Sequence, residues 1–141
     1  MFVFKEEISK TIKENNLSLI EIEGVEKIFF IKNLYNRFIK NNPRALWLDF
    51  KYKPTSISYE KSIQDELVKL IPEKEDIYFV VDDFNIEYHI YKSNINDVFI
   101  FIEECVGLDE YYIVYDNFNK LFCENDHGEL LFIDININEK R

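Results

Sequence analysis

The sequence predicts a single α/β or α+β domain over residues 1–141, built on a mixed sheet with helices packed on it. Three observations carry that expectation. A chain of 141 residues suits one core, at roughly 100–200 residues per domain. Hydrophobic residues make up 47% and aromatics 16%, with 13 Phe and 9 Tyr, so there is enough apolar volume to offset the entropy of ordering the backbone. Apolar residues recur at helical spacing in some stretches and alternate in others, and the last third reads as strands joined by tight turns. The predicted order is α-α-β-α-β-α-β-β-β, a sheet of about five strands.

The first helix rests on Phe4, Ile8 and Ile12, four apart within residues 3–15, an apolar stripe that needs a partner surface. Leu17–Glu23 alternates and leaves helix and strand unresolved. Gly24 then opens a second helix, with Val25, Ile28, Phe29, Ile31, Leu34, Tyr35, Phe38 and Ile39 on a broad face running to Asn41. Asn42-Pro43 ends it, because a residue before proline is pushed out of the helical region. Ala45–Tyr52 sets Leu46, Leu48 and Phe50 against Trp47, Asp49 and Lys51 with period two and is predicted as a strand. Pro54–Ser58 reads as loop. Tyr59, Ile63, Leu67, Leu70 and Ile71 form a third helical stripe up to Pro72. Ile77–Val81 is a short β-branched and aromatic run closed by Asp82-Asp83, expected to be a strand buried on both faces and part of a βαβ unit. Ile95, Val98, Phe99, Ile102 and Val106 share one helical face that Asn94 can cap with Asp97 at the third position. The segment from Tyr111 to Ile135 alternates apolar runs with Asp-Asn-Phe-Asn and Asn-Asp-His-Gly turns, predicting three closing strands. Two strand-helix-strand crossovers would make part of the sheet parallel.

Charge is distributed unevenly. Residues 1–71 carry 12 Lys and Arg against 10 Asp and Glu, a net of +2, whereas residues 72–141 carry 5 against 17, a net of -12. A field of that sign repels nucleic-acid phosphates and anionic membrane surfaces, so neither is an expected partner. It attracts a basic protein surface or a cation. The opening MFVFKEEISK has charges where a signal peptide has its apolar stretch. Two cysteines, Cys105 and Cys123, are too few for a disulfide framework. A cytoplasmic location is expected.

Catalytic signatures are sparse. The three glycines, Gly24, Gly107 and Gly128, lie in none of the G-x-G-x-x-G, G-x-x-x-x-G-K-[ST] or G-x-S-x-G patterns that cradle phosphate or present a nucleophile. No catalytic residue, no metal ligand and no cofactor is assigned. Cys105 on an apolar helix face reads as a small core hydrophobe. The densest polar cluster is Cys123-Glu124-Asn125-Asp126-His127-Gly128-Glu129. It reads first as a turn in which Asn125 and Asp126 bond the backbone and Gly128 takes a positive φ. As an alternative, Glu124, Asp126 and His127, with His89, could serve a metal-dependent or small-molecule enzyme, although alternation along a strand sends neighbouring side chains to opposite faces. Asp82 and Asp83 close the proposed central strand, where open α/β sheets bind ligands. Glu103, Glu104, Asp109 and Glu110 crowd the end of the fourth helix, where negative charge opposes the helix dipole.

Glu110–Val114, EYYIV, followed by Leu121–Asn125 and Asp126-His127, resembles the C-terminal signature of an uncharacterised family of small acidic bacterial proteins. In that family an EYYIV strand precedes an apolar strand ending in Glu-Asn-His-His. The Trp47 segment, Ile77–Asp82 and Tyr88–Tyr91 extend the likeness over most of residues 45–133. Asp126 stands where the family has its first histidine, which weakens a metal role for the motif. The resemblance implies no activity. A small, acidic, motif-poor chain rich in Ile, Lys and Asn is also similar to bacterial immunity proteins, and that likeness implies docking of an acidic surface over a basic toxin site.

On that reading the partner-binding residues are Asp82, Asp83, Glu103, Glu104, Asp109, Glu110, Tyr112, Glu124, Asp126 and His127, with Tyr111 or Tyr115 as further aromatic anchors. The expected function is a non-catalytic protein-binding module of the immunity type. A structural scaffold, with self-association left open, stands second, and an enzyme third.

Overall fold

Side-chain alternation along one strand organises the molecule. In Ile77–Asp83, Ile77, Phe79 and Val81 join one apolar cluster while Val80 joins another on the opposite face. Such a strand must be covered on both sides. The computed structural model describes residues 2–58, 62–84 and 86–137. Its elements are α1 (Phe4–Glu14), β1 (Ile20–Glu21), α2 (Gly24–Phe38), a 3-10 turn (Leu46–Asp49), β2 (Thr55–Ile57), α3 (Ile63–Leu70), β3 (Ile77–Asp83), β4 (Glu87–Ser93), α4 (Ile95–Glu104), β5 (Tyr111–Tyr115), β6 (Lys120–Glu124) and β7 (Leu130–Asp134).

The seven strands form one sheet in the order β1-β4-β3-β5-β6-β7-β2. Every pairing is antiparallel. Helices α1, α3 and α4 cover one face through Phe4, Ile8, Leu67, Val98 and Phe101 against Phe79, Tyr111, Ile113 and Phe122. Helix α2 and the 3-10 turn cover the other through Phe30, Leu34, Phe38, Leu46 and Phe50 against Val80, Tyr112, Val114, Leu121 and Ile133. Aromatic rings this deep each hold about 3–5 kcal/mol against truncation to alanine.

The expected mixed sheet of about five strands is therefore corrected to an open, wholly antiparallel sheet of seven in an α+β fold. The difference has three sources. First, β4 went unrecognised as a strand. Its residues Glu87–Ser93 place His89 and Tyr91 on one face with Val81 and Phe79, so β3 and β4 form a hairpin. Helix α4 then carries the chain over β3 to β5, which runs parallel to β4 with β3 between them. Second, the two edges are closed by the very short β1, from the unresolved Leu17–Glu23 stretch, and by β2, from the segment read as loop. The βαβ unit is thereby overturned: β2 lies beside β7 at the far edge from β3.

Third, Ala45–Tyr52 is not a strand. Leu46 and Phe50 are wholly buried while Leu48 is 40% exposed, so burial here does not follow period two. The carbonyl of Ala45 accepts from Leu48 N–H at 3.1 Å, and the carbonyl of Phe38 accepts from Lys51 N–H at 2.7 Å. Packing against the end of α2 closes the segment into a turn. For the same reason α2 stops at Phe38 rather than Asn41, since Ile39 is extended and bridges Phe50.

The other helices match their signals. Asn94 Oδ1 accepts from Asp97 N–H at 2.9 Å and starts α4, and Ser62 Oγ accepts from Asp65 N–H at 3.3 Å and starts α3. Tyr59, placed in that helix by its spacing, lies outside the described residues. Val106, assigned to the core face of α4, lies past the helix end and is 64% exposed.

Candidate functional site

The acidic residues at the ends of β3, β5 and β6 do not form a single site, because alternation divides them between the two faces of the sheet. Asp82 follows Val80 onto the α2 face, whereas Asp83 follows Val81 onto the face of α1 and α4. There Asp83 Oδ2 lies 3.0 Å from Nε2 of the buried His89. The other ring nitrogen of His89 makes no hydrogen bond and faces Glu21 Oε2 at 3.9 Å. Glu21 in turn is bridged by Lys5, which also donates to the Tyr91 hydroxyl at 3.0 Å.

On the α2 face the sheet positions a buried carboxyl pair. Asp82 N–H donates to the Glu110 carbonyl at 3.2 Å, which sets the two residues side by side at the ends of β3 and β5. Glu110 lies two residues before Tyr112 and shares its face, and the Tyr112 hydroxyl donates to Glu110 Oε2 at 2.6 Å. The same hydroxyl accepts from Trp47 N–H at 3.2 Å. Asp82 is 6% exposed and Glu110 4%. Burial pushes the Glu110 carboxyl up to about 7; the Tyr112 hydrogen bond pulls down, while the charges of Asp82 and Asp126 and a hydrogen bond to Asp82 push up.

This pair forms the floor of a pocket of about 110 Å³ walled by Arg44, Phe84, Asp109 and Asp126. Arg44 comes from the chain just before the 3-10 turn, and Asp126 from the β6–β7 turn. Asp109 and Asp126 are exposed, and so is half of Phe84, which holds a left-handed φ of 52° in the β3–β4 hairpin and meets Phe4 at 5.3 Å between ring centroids. Four acidic residues and one arginine line the pocket.

Of the sequence-predicted residues, Asp82, Asp109, Glu110 and Asp126 meet here. Tyr112 reaches the pocket only through Glu110, being wholly buried, and Tyr111 and Tyr115 are core as well. Glu103 and Glu104 are exposed on α4, across the sheet from the pocket. Glu124 also faces that side, beside Tyr111, and burial raises its carboxyl while a Tyr111 hydrogen bond lowers it.

His127 is exposed, with Nε2 3.8 Å from Asp126 Oδ1 and its ring edge-on to Trp47 at 5.6 Å. His89 and His127 therefore lie on opposite faces, which removes the joint site considered for Glu124, Asp126, His127 and His89. Among the described residues, no group of three or more His, Cys, Asp and Glu side chains is arranged to hold a metal ion. The turn itself is built by Asn125, whose side-chain oxygen accepts from the N–H groups of His127 and Glu129 at 3.0 and 2.9 Å, with Gly128 at φ 77°. Arg44 and Phe84 were missed. No periodicity connects either with Asp82; only the folded hairpin and the turn after Pro43 bring them there.

A protein-family model described as a family of unknown function, DUF6756, matches residues 3–140. The chain belongs to that family. No curated protein and no solved structure matches it. No helix among its described residues is long and apolar enough to cross a membrane.

Proposed function

We propose that this DUF6756 protein is a non-catalytic binding module that docks the acidic pocket face over a basic site on a protein partner, acting as an immunity protein against a toxin in the cytoplasm. The observation that supports this reading is the convergence of Asp82, Asp109, Glu110 and Asp126 on one pocket. Such a surface steers a basic partner into contact and selects against acidic ones. The contact surface is accordingly narrower than the ten residues drawn from the sequence. It centres on Asp109, Asp126 and the floor pair, and it excludes Asp83, Glu103, Glu104 and Glu124.

The test is capture of partners by the full chain from its own organism, with each captured protein identified and assayed for toxicity. The expected result is a basic toxin whose activity the chain inhibits. Its binding should weaken with salt and with Asp109→Lys or Asp126→Lys, yet survive Glu103→Lys and Glu104→Lys. A partner whose binding responds equally to both pairs of variants, or an absence of any basic partner, would overturn the proposal.

Self-association is a second reading, favoured by a different observation. Val25, Ile28 and Phe29 are 67%, 66% and 60% exposed along one stripe of α2, and contiguous apolar surface of this kind marks interaction sites. Sedimentation of the full chain as a monomer at every concentration would remove that reading.

A further inference from the structure

Away from the pocket, on the face of α1 and α4, the two ring nitrogens of His89 are unequally served. The residue lies on β4 and is 4% exposed. Its Nε2 stands 3.0 Å from Asp83 Oδ2 at the end of β3. Its Nδ1 makes no hydrogen bond and faces Glu21 Oε2 on β1 at 3.9 Å. A neutral imidazole has one N–H, and Asp83 takes it, because a carboxylate can only accept. Nδ1 is then a bare lone pair, buried and set against a second carboxylate, which is unfavourable where water is excluded. A proton on Nδ1 turns that repulsion into attraction, and a closure of about 1 Å makes the contact a charge-assisted hydrogen bond.

Local charge favours the same state. The groups around the ring are Lys5 from α1, Glu21 from β1, Asp83 from β3, and Glu87 and Tyr91 from β4. Lys27 of α2 pairs with Glu87, and Cys105 after α4 lies beside Tyr91. Burial raises the Tyr91 hydroxyl and pushes the Cys105 thiol up to about 11, so neither carries charge near neutrality. Three carboxylates, Glu21, Asp83 and Glu87, therefore face two ammonium groups, Lys5 and Lys27. An imidazolium supplies the third cation and brings the cluster to neutrality.

We propose that His89 is a proton-operated latch between the β1 edge strand and the β3–β4 hairpin: with a proton on each ring nitrogen it binds Asp83 and Glu21 together, and on losing the Nδ1 proton it keeps Asp83 and releases Glu21. The proton passes to solvent, and the N–H is the only covalent bond broken. Glu21 is then left to Lys5, and β1 to its two-residue pairing with β4. The protonated ring is the one that holds both partners, so β1 is fastened in mildly acidic solution and loosens as pH rises. Asp83, next to Phe84, stays bound in both states, so the latch is independent of the reading given to the pocket.

The experiment records nitrogen-15 spectra of the full chain between about pH 5.5 and 9, which spans the range where imidazoles change charge. It follows both ring nitrogens of His89 and the backbone amides of Ile20, Glu21 and Ile22. The expected result is that Nδ1 passes from N–H to bare nitrogen as pH rises while Nε2 keeps its proton, and that the three amides shift with the same midpoint. Glu21→Gln, which removes the carboxylate 3.9 Å from Nδ1, should lower that midpoint by about one pH unit. A ring that keeps one protonation state throughout overturns the latch. So do β1 amides that stay still while the ring titrates, amides that instead follow the exposed His127, or a midpoint unmoved in Glu21→Gln. Should that variant fail to fold, the wild-type ring and β1 amides decide on the same terms.

Discussion

Replacing Glu110 by glutamine should stabilise the protein in mildly alkaline solution and cost it about 1 kcal/mol in acid. The folded structure raises the Glu110 carboxyl from 4.5 to about 7. The folded state therefore binds more protons than the unfolded chain between those values, and its stability falls as pH rises through that window. A difference of about 2.5 units at about 1.4 kcal/mol each gives a loss of about 3 kcal/mol by about pH 8. Glutamine carries no charge at any pH. Its amide can donate to Asp82 while its carbonyl accepts from Tyr112, so the hydrogen bonds of the neutral acid persist. Allowing about 1 kcal/mol for a less favourable Gln–Asp contact, the variant should be more stable than wild type by about 2 kcal/mol at about pH 8.

Urea unfolding at about pH 4.5 and 8, read by the fluorescence of Trp47, the one tryptophan, measures the difference directly. Titrations remote from Glu110 cancel when the variant is subtracted from the wild type, while Asp82 and Asp126, whose charges act on Glu110, add to the difference. A stability difference that is the same at both pH values would refute the reasoning, because it would mean that the fold does not hold Glu110 neutral.

Three further outcomes are expected. Asn125→Ala should cost about 2–4 kcal/mol in urea unfolding, since the buried side chain makes hydrogen bonds to His127 N–H, Glu129 N–H and Glu129 Oε1; a loss under about 1 kcal/mol would mean that the turn forms without it. Tyr112→Phe should cost about 2–3 kcal/mol by stranding Trp47 N–H and Glu110 Oε2. It should also move the Glu110 midpoint upward, because the Tyr112 bond holds that carboxyl down, and a downward shift in the carboxyl titration would contradict this assignment. Cys105 and Cys123 should resist iodoacetamide in the native protein and react in urea. Burial pushes Cys105 up to about 11 and Cys123 well above its ordinary value, and rapid native labelling of either would show the core open there.

Much of the site was visible in the sequence as residue types and little of it as an arrangement. Asp82, Asp109, Glu110 and Asp126 were chosen for charge, and they meet. Glu103, Glu104, Asp83 and Glu124 were chosen on the same ground; α4 holds the first two on the opposite side, and strand alternation turns the other two onto that face. Alternation along Tyr78–Asp83 and Glu110–Tyr112 contained that division, since each step of one residue reverses the face. It could be used only once β3 and β5 were known to be neighbours, a pairing between residues about thirty positions apart along the chain.

Local signals determined what local energies control. The stripe of α1, the Asn94 cap of α4, the doubly buried β3 and the turns of the closing meander follow from nearest-neighbour packing, capping and backbone preference, and these the sequence determined by itself; on α2, by contrast, Val25, Ile28 and Phe29 of the broad apolar face are exposed and the buried stripe is Phe30, Leu34 and Phe38. Strand direction, the number of strands and the fate of Ala45–Tyr52 depended on which surfaces were free to pair. A two-residue edge strand such as β1 has too little periodicity to announce itself, and a segment with alternating side chains becomes a strand only where a neighbour offers its N–H and C=O groups. The tertiary structure also decided the chemistry of Glu110: its charge follows from burial beside Asp82, and both the burial and the neighbour exist only in the folded chain.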